Sequence, residues 1–301
     1  MLLVLSGAID GTCDRVMSIL ENRAFRFNYD IFHEYEVSIS PSGWKVSNPA
    51  GLTISSDLST GAFWWKPFNY GLQIDKYVSS EVRYIFRELY AWHLRRGLVK
   101  GNPPDYHNLK GKLYFLEEAS KHFLIPDSFV GWGFKSIPAG FSGLPTVAKS
   151  LSSEPTSDKK ALFTTEVDSS RLDPNYPWFL QTKIEASHDI TVFVCGNKKF
   201  CFEKSRDKLR SVDWRLDIDF DSPVKDDWEM IEFTNTEKES LDNFCIQADI
   251  HWGRIDFMRS NEGRLYFLEF NANGQWVFLD YERKNSLVEH VCEYLLSQNN
   301  I

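Results

Sequence analysis

The chain opens with a short unbroken apolar run, Leu2 to Leu5. The loop Ser6-Gly7-Ala8-Ile9-Asp10-Gly11 follows, then Cys13 to Asn22, where Val16, Ile19 and Leu20 recur at helical spacing. A buried strand, a glycine-bearing turn and a helix make an α/β opening. The loop lacks GxGxxG and so gives no support for a bound dinucleotide. Glu34 to Ile39 and "GWKVSNPAGLTIS" supply hairpin material, and "FWWKP", Phe63 to Pro67, closes the region. Ser79 to Leu98 predicts a helix, with Val82, Ile85, Phe86, Leu89, Tyr90 and Trp92 close to a 3.6 period. Gly101-Asn102-Pro103-Pro104 stops that pattern and marks a domain boundary, giving an N-terminal α/β domain over 1–104 and the remainder over 105–301.

The second part begins with a predicted helix, Lys110 to His122, with Leu113, Leu116 and Ala119 on one face. Lys112 lies in its first turn, where a cation opposes the helix dipole. "LPTVAKS" is a strand that delivers Lys149 at its exit, either to a phosphate or to water. Ser150 to Lys160, "SLSSEPTSDKK", is polar and aperiodic, a loop of the kind that serves as a lid. A short strand then ends at Gln181, and Gln181-Thr182-Lys183-Ile184 offers a backbone edge to a purine. A hairpin spans Ile190 to Phe202, turning at Gly196-Asn197. His188 has no second histidine or cysteine at ligand spacing and reads as an ordinary polar residue.

"GRIDFMRSNEGRLYFLEFNANGQW" reads as two strands around Asn261-Glu262-Gly263. With a two-residue Glu262-Gly263 turn, Asp256 stands opposite Glu269 and Arg254 opposite Asn271. Alternation then puts Asn271 on the carboxylate face and Tyr266, Leu268 and Phe270 in the core. A three-residue loop with a bulge would alter that opposition. Two carboxylates so close repel unless something positive sits between them. Arg254 could serve, and a divalent cation fits better, because two carboxylates and an amide without Cys or His form the oxygen set that suits magnesium.

Composition narrows the class. The 301 residues are 43% hydrophobic and 15% aromatic, enough for a substantial core in one or two domains. A net charge of −8 argues against nucleic acid and anionic membranes as partners. Cys13, Cys195, Cys201, Cys245 and Cys292 show no CxxC spacing, so reduced thiols are expected rather than a disulfide framework or zinc site. The apolar start stops at Ser6, too short for a signal or membrane segment, and a cytoplasmic protein is expected.

A strand lysine, a polar lid, a purine-edge segment and an Asp…Glu-x-Asn hairpin, in that order, resemble the ATP-grasp fold, in which two α+β subdomains hold Mg-ATP. "LEFNANGQW" followed by Asp280, with "WWKP", a helix ending in "LIP", "FLQTKI…HDI" and "VDWR", narrows the resemblance to the graspetide, or microviridin-type, ligases that macrocyclise ribosomally made peptides. It covers roughly Leu2 to Leu296. It implies an α+β/α/β architecture: a Rossmann-like pre-ATP-grasp domain over 1–104, then ATP-grasp central and C-terminal subdomains. It implies ATP and Mg2+ as cofactors and a precursor peptide with a leader sequence as partner; a homodimer stays open. Lys112 and Lys149 are expected at ATP phosphates or the adenine cleft, Gln181, Thr182, Lys183 and Ile184 at the hinge, and Asp189 beside the nucleotide. Asp256, Glu269 and Asn271 are expected to hold magnesium, with Arg215 near the γ-phosphate or the acyl phosphate. Members commonly carry Asp-Ile-Arg where this chain has Asp189-Ile190-Thr191, leaving Arg206, Arg210 or Arg215 to replace that cation. The lid also has no glycine between Ser150 and Lys160. Competing expectations are a RimK-like ligase that adds an amino acid to a carboxylate, and a noncatalytic nucleotide-binding module.

Overall fold

The computed structural model describes residues 1–66, 75–104, 106, 110–133, 138, 141, 143–152, 163–217 and 228–297. Pro67 of the "FWWKP" stretch and most of the expected lid lie outside them.

Strand β1 (Leu2–Ser6) is buried along its whole length because its two faces meet two different cores. It pairs in parallel with β2 (Ala24–Asn28) through α1 (Gly11–Leu20). The helix begins at Gly11, earlier than its apolar period suggests, because the Asp10 side chain caps it by accepting from Cys13 N. An antiparallel meander follows: β3 (Glu36–Ser40), β4 (Gly43–Ser47) and β5 (Thr53–Ser55). The chain returns to the other side of β1 as β6 (Gly61–Trp64) and, after α2 (Lys76–Leu94), adds β7 (Val99–Lys100). The result is a parallel sheet in the order β2-β1-β6-β7. Asp75 caps α2 through the N–H groups of Tyr77 and Val78, so this helix too runs earlier than Ser79 to Leu98.

The boundary region is not a loose linker. Asn102 is buried, and its amide donates to the carbonyls of Trp252 and Ala272 at 2.8 and 2.7 Å, bonding the end of the parallel sheet to the C-terminal hairpin. Helix α3 (Lys112–Ala119) follows. Phe115, Leu116 and Ala119 are its buried residues, whereas Leu113, expected on the inner face, is half exposed, because the buried stripe runs i, i+1, i+4 from Phe115. Next come β8 (Ser128–Gly131), β9 (Thr146–Lys149), β10 (Thr165–Val167) and β11 (Trp178–Thr182), an antiparallel sheet ordered β10-β9-β11-β8.

The last sheet contains β12 (Ala186–Cys195), β13 (Lys198–Ser205), β14 (Glu229–Ile231), β15 (Trp252–Ser260) and β16 (Leu265–Asn271), ordered β14-β13-β12-β15-β16. The β12–β13 hairpin turns at Gly196-Asn197, as the sequence predicts, with Gly196 at φ +60°. One face of this sheet packs on α3 and on α4 (Asn235–Ala248), which starts in a Thr234/Glu237 capping box. Its other end packs through Phe193, Trp252 and Trp276 against β1, α1 and α5 (Leu287–Leu296) in one continuous core. The fully buried Asp280 accepts from Asn285 N and Val288 N and fixes the start of α5. Among the described residues the cysteines are free thiols, and no helix is long and apolar enough to cross a membrane.

Candidate active site

Three adjacent strands place Thr191, Asp256 and Glu269 side by side in one lateral row, with Arg254 opposite Asn271 two pairs further along. The opposition expected from the sequence is present, but it arises differently. The hairpin closes with the three-residue loop Asn261-Glu262-Gly263, its ends joined by Ser260 N donating to Arg264 O at 2.8 Å. That loop alone would pair Asp256 with Leu268. A bulge between the Phe257–Phe267 and Asp256–Glu269 pairs absorbs the extra residue and restores the register. The bulge also changes which side chains face inward. Leu265, Phe267 and Phe270 are the buried residues of β16, whereas Tyr266 and Leu268, expected in the core, are only partly buried, and Leu268 lines the cleft beside Glu269. Gly253, just before Arg254, has φ +132°, and a Cβ there would lie 2.7 Å from the Phe270 ring and 2.8 Å from Asn271 O, so only glycine fits.

Asp256 is saturated with donors. Its Oδ1 accepts from Arg254 Nε at 3.0 Å and Thr191 Oγ1 at 2.8 Å, and its Oδ2 from the second arm of the Arg254 fork at 3.0 Å and Asn271 Nδ2 at 2.8 Å. Asn271 Nδ2 also reaches Glu269 Oε1 at 3.2 Å. Lys112, the first residue of α3, puts Nζ 3.5 Å from the other Glu269 oxygen and donates to Ser150 O at 2.8 Å. Burial raises the Glu269 carboxyl, but Lys149 and Lys112, with Asn271 and Arg254, outweigh it and hold the group at about 2. Burial likewise pushes the Lys149 ammonium below its ordinary value against the pull of Glu269, and Lys112 adds to the lowering.

Lys149, Arg254, Asp256 and Glu269 line a cleft of about 300 Å³ between the β8–β11 sheet and the β12–β16 sheet. Lys149, Gln181, Thr182, Lys183 and Ile184 line it on one side and Asp256 and Glu269 on the other. Gln181 is buried. Its amide nitrogen donates to Ser128 Oγ at 3.0 Å, and its Oε1 is an acceptor without a partner. The backbone N–H groups of Thr182 and Lys183 are already used, by Asp127 O and Pro145 O, so the edge they offer a purine is smaller than the sequence suggests. Lys183 Nζ pairs with Glu166 at 3.0 Å and Glu185 at 3.4 Å. Among the described residues the His188 ring bonds its neighbour's hydroxyl, Ser187 Oγ, at 2.9 Å.

The arginines are less available than expected. Arg206 is bound to Asp189 at 2.6 Å and to the carbonyls of Ser211 and Val212, and so holds the turn after β13 together. Burial raises the Asp189 carboxyl to about 6 despite Arg206. Arg215 forms a two-pronged pair with Asp213 at 2.8 and 2.6 Å, its guanidinium over the Phe163 ring. Arg210 lines the cleft, with its backbone N–H on Asp217. Thr191, where an arginine was expected, instead gives its hydroxyl to Asp256, and the cation at that carboxylate is Arg254. Sequence reasoning missed the Asp213–Arg215 pair, whose i, i+2 spacing in "VDWR" was a usable signal. It also missed Gln275, whose carbonyl accepts from Arg254 at 2.9 Å and whose Oε1 accepts from Thr12 at 2.6 Å, a contact between residues far apart in the chain.

No protein-family model matches the chain, and no curated protein matches it in sequence. Solved structures match it over its full length. A RiPP-associated ATP-grasp ligase from Chryseobacterium gregarium, solved with ADP and a leader and core peptide, superposes with a TM-score of 0.81 at 20% identity, covering 100% of this chain and 99% of that one. The macrocyclase MdnC from Microcystis aeruginosa, bound to precursor peptide MdnA, gives 0.78 at 18% identity, covering 98% and 99%. The chain has the ATP-grasp fold. A RimK-domain ATP-grasp protein from Sphaerobacter thermophilus also matches, with a TM-score of 0.58 at 12% identity and coverage of 98% and 99%.

Proposed function

We propose that this chain is an ATP-dependent ligase that cross-links a ribosomally made precursor peptide through side-chain ester or amide bonds. The observation that carries the reading is the row Thr191–Asp256–Glu269 with Asn271, whose two carboxylates line a cleft that also presents Lys149, with Lys112 Nζ 3.5 Å from Glu269. Asp256, Glu269 and the Asn271 amide are hard oxygen donors that fit Mg2+. Among the described residues no cluster of three or more His, Cys, Asp or Glu side chains could hold a metal, so the rest of the ion's shell would come from water and phosphate. When bound, the ion offsets charge on the phosphate being transferred. The unpartnered Gln181 Oε1 suits an adenine amine, and Lys149 and Lys112 suit phosphates.

The chemistry follows from that placement. A substrate carboxylate oxygen bonds to the γ-phosphorus as the bond to ADP breaks. A hydroxyl or amine of the same peptide then attacks the acyl carbon, loses its proton and expels inorganic phosphate. Both reacting groups belong to one molecule, so the second step is effectively unimolecular. In this reading residues 1–104 are the pre-ATP-grasp domain, with its parallel sheet as the Rossmann-like part, and 105–301 the ATP-grasp subdomains. The higher similarity to peptide-modifying ligases than to the RimK-domain protein supports a peptide substrate. The test is to incubate the protein with ATP, Mg2+ and a Thr/Lys/Glu-rich peptide encoded beside it, then weigh the product. Loss of one water per bond is expected, and a gain of an amino-acid residue would replace this reading with the RimK-like one.

A further inference from the structure

The carboxyl end of the parallel sheet has a second opening beside the cleft. Helix α1, which follows β1, packs in the core that holds Leu2 and Val4, whereas α2, which follows β6, packs in the core that holds Leu3 and Leu5. The connections leaving these two neighbouring strands thus depart to opposite faces of the sheet, and their exits diverge, the arrangement that opens a ligand crevice in a parallel sheet. The β1 exit carries Asp10 and the β6 exit carries Lys66. Gln275 joins this crevice to the cleft. Its Nε2 is 3.4 Å from Asp10 Oδ2, and its backbone carbonyl accepts from Arg254, which lines the cleft. Lys66 holds φ +44°, a conformation that lysine rarely adopts. It is half-buried, with Nζ 5.4 Å from the Trp65 ring centroid, and among the described residues it forms no ion pair or hydrogen bond. Two charged groups among those residues face it, Asp10 from the start of α1 and Arg254 from β15. Asp10 is already engaged, by Cys13 N at 2.8 Å and by Gln275. Burial pushes the Lys66 ammonium down to about 8, with Asp10 opposing the shift and Arg254 adding to it. The groups of the cleft are committed elsewhere. Lys112 and Lys149 serve Glu269, which is held at about 2, Asp256 accepts four hydrogen bonds, and Arg206 covers Asp189.

On the reading that this chain joins side chains of a peptide through an acyl phosphate, we propose that the crevice between the β1 and β6 exits receives the attacking hydroxyl or neutral amine, and that Lys66 is the catalytic base acting on it. The neutral Lys66 amine takes the proton of the attacking O–H or N–H as the oxygen or nitrogen bonds to the acyl carbon. The bond from that carbon to the phosphate oxygen then breaks, inorganic phosphate leaves, and the Lys66 ammonium gives its proton to water. A lysine half-shielded from water and without an ion-pair partner can pass between its charged and neutral forms, which an arginine at the same place cannot do.

The test uses Lys66→Arg and Lys66→Met in the full chain, with ATP, Mg2+ and a peptide whose acceptor is threonine, so that no substrate amine titrates. Each reaction is run with and without hydroxylamine and weighed. Hydroxylamine intercepts an acyl phosphate as a hydroxamate without a base from the protein, so the hydroxamate reports activation and the loss of water reports bond closure. Both variants should form hydroxamate within about threefold of wild type and close the bond about 100-fold more slowly or worse. Wild-type closure should rise as pH climbs through about 8, where the ammonium loses its proton, and the variants should lack that rise. If K66M does not fold, K66R carries the same measurements. Closure by K66R within about threefold of wild type, or a variant that keeps the rise, would show that a base at this position is not needed. A hydroxamate yield that falls in step with closure would mean that Lys66 supports activation or the fold; any of these results overturns the proposal. Absence of hydroxamate from the wild type would instead overturn the ligase reading on which it rests.

Discussion

Glu269→Gln separates two forces that the hairpin sets against each other: repulsion from Asp256 and attraction to Lys149 and Lys112. If repulsion dominated, the neutral variant would be more stable without ligand. The lysines point the other way, since Glu269 exposes only 29% of its side chain and its carboxyl is held at about 2 rather than 4.5. At about 1.4 kcal/mol per pH unit, that displacement sets a ceiling of about 3 kcal/mol at pH 7. Glutamine keeps a partner for Asn271, so a loss of about 1–3 kcal/mol is expected for E269Q. The sign with pH is fixed. A depressed carboxyl contributes stability above its unfolded value, 4.5, and loses it as pH falls toward about 2, so the gap between wild type and variant should narrow below pH 4.5. Urea unfolding of both proteins at pH 7 and pH 3.5, without nucleotide, measures it. An E269Q protein as stable as wild type at pH 7, or more so, would refute the reasoning and leave carboxylate repulsion as the governing term.

Lys149→Ala should weaken binding of a nonhydrolysable ATP analogue about tenfold or more, because a charge directed at phosphate is lost; unchanged affinity by calorimetry would take Lys149 out of the phosphate site. Asp280→Ala should cost about 1–3 kcal/mol by leaving two backbone donors of the α5 entry unsatisfied, with turnover per folded molecule unchanged. A fall in kcat at a temperature where the variant is folded would show that Asp280 acts in the site instead.

The sequence revealed the site best where strand periodicity governs. Glu269 and Asn271 share a face because side chains two apart do so, and Lys149 is found at a strand exit as expected. Periodicity could not reveal the bulge at Leu268, because an extra residue in a ladder is set by what the core and cleft each require. It was equally silent on the arginines. Arg206 reads as an available cation because its partner, Asp189, becomes so only through the turn after β13, whereas the Asp213 partner of Arg215 lies two residues away in the sequence. Helix starts were displaced wherever an aspartate cap, Asp10 or Asp75, set them ahead of the apolar stripe. The bond from Asn102 to Trp252 and Ala272 joins the two ends of a predicted boundary, and no local pattern carries it.

Leu268 has a consequence for how this hairpin tolerates changes in length. On β15, Asp256 and Phe257 are consecutive; on β16 their partners Glu269 and Phe267 have Leu268 between them. Excising Leu268 would leave both pairings in place, with Phe267 still toward the core and Glu269 still toward the cleft. Strand pairing therefore does not require this residue. What it supplies is an apolar side chain next to Glu269, in a cleft whose lining also includes the apolar side chains of Ile184, Ile190 and Met258. A chain shortened by that single residue should keep its fold and the Asp256–Glu269 and Phe257–Phe267 pairings, and lose the apolar surface that Leu268 presents to the cleft.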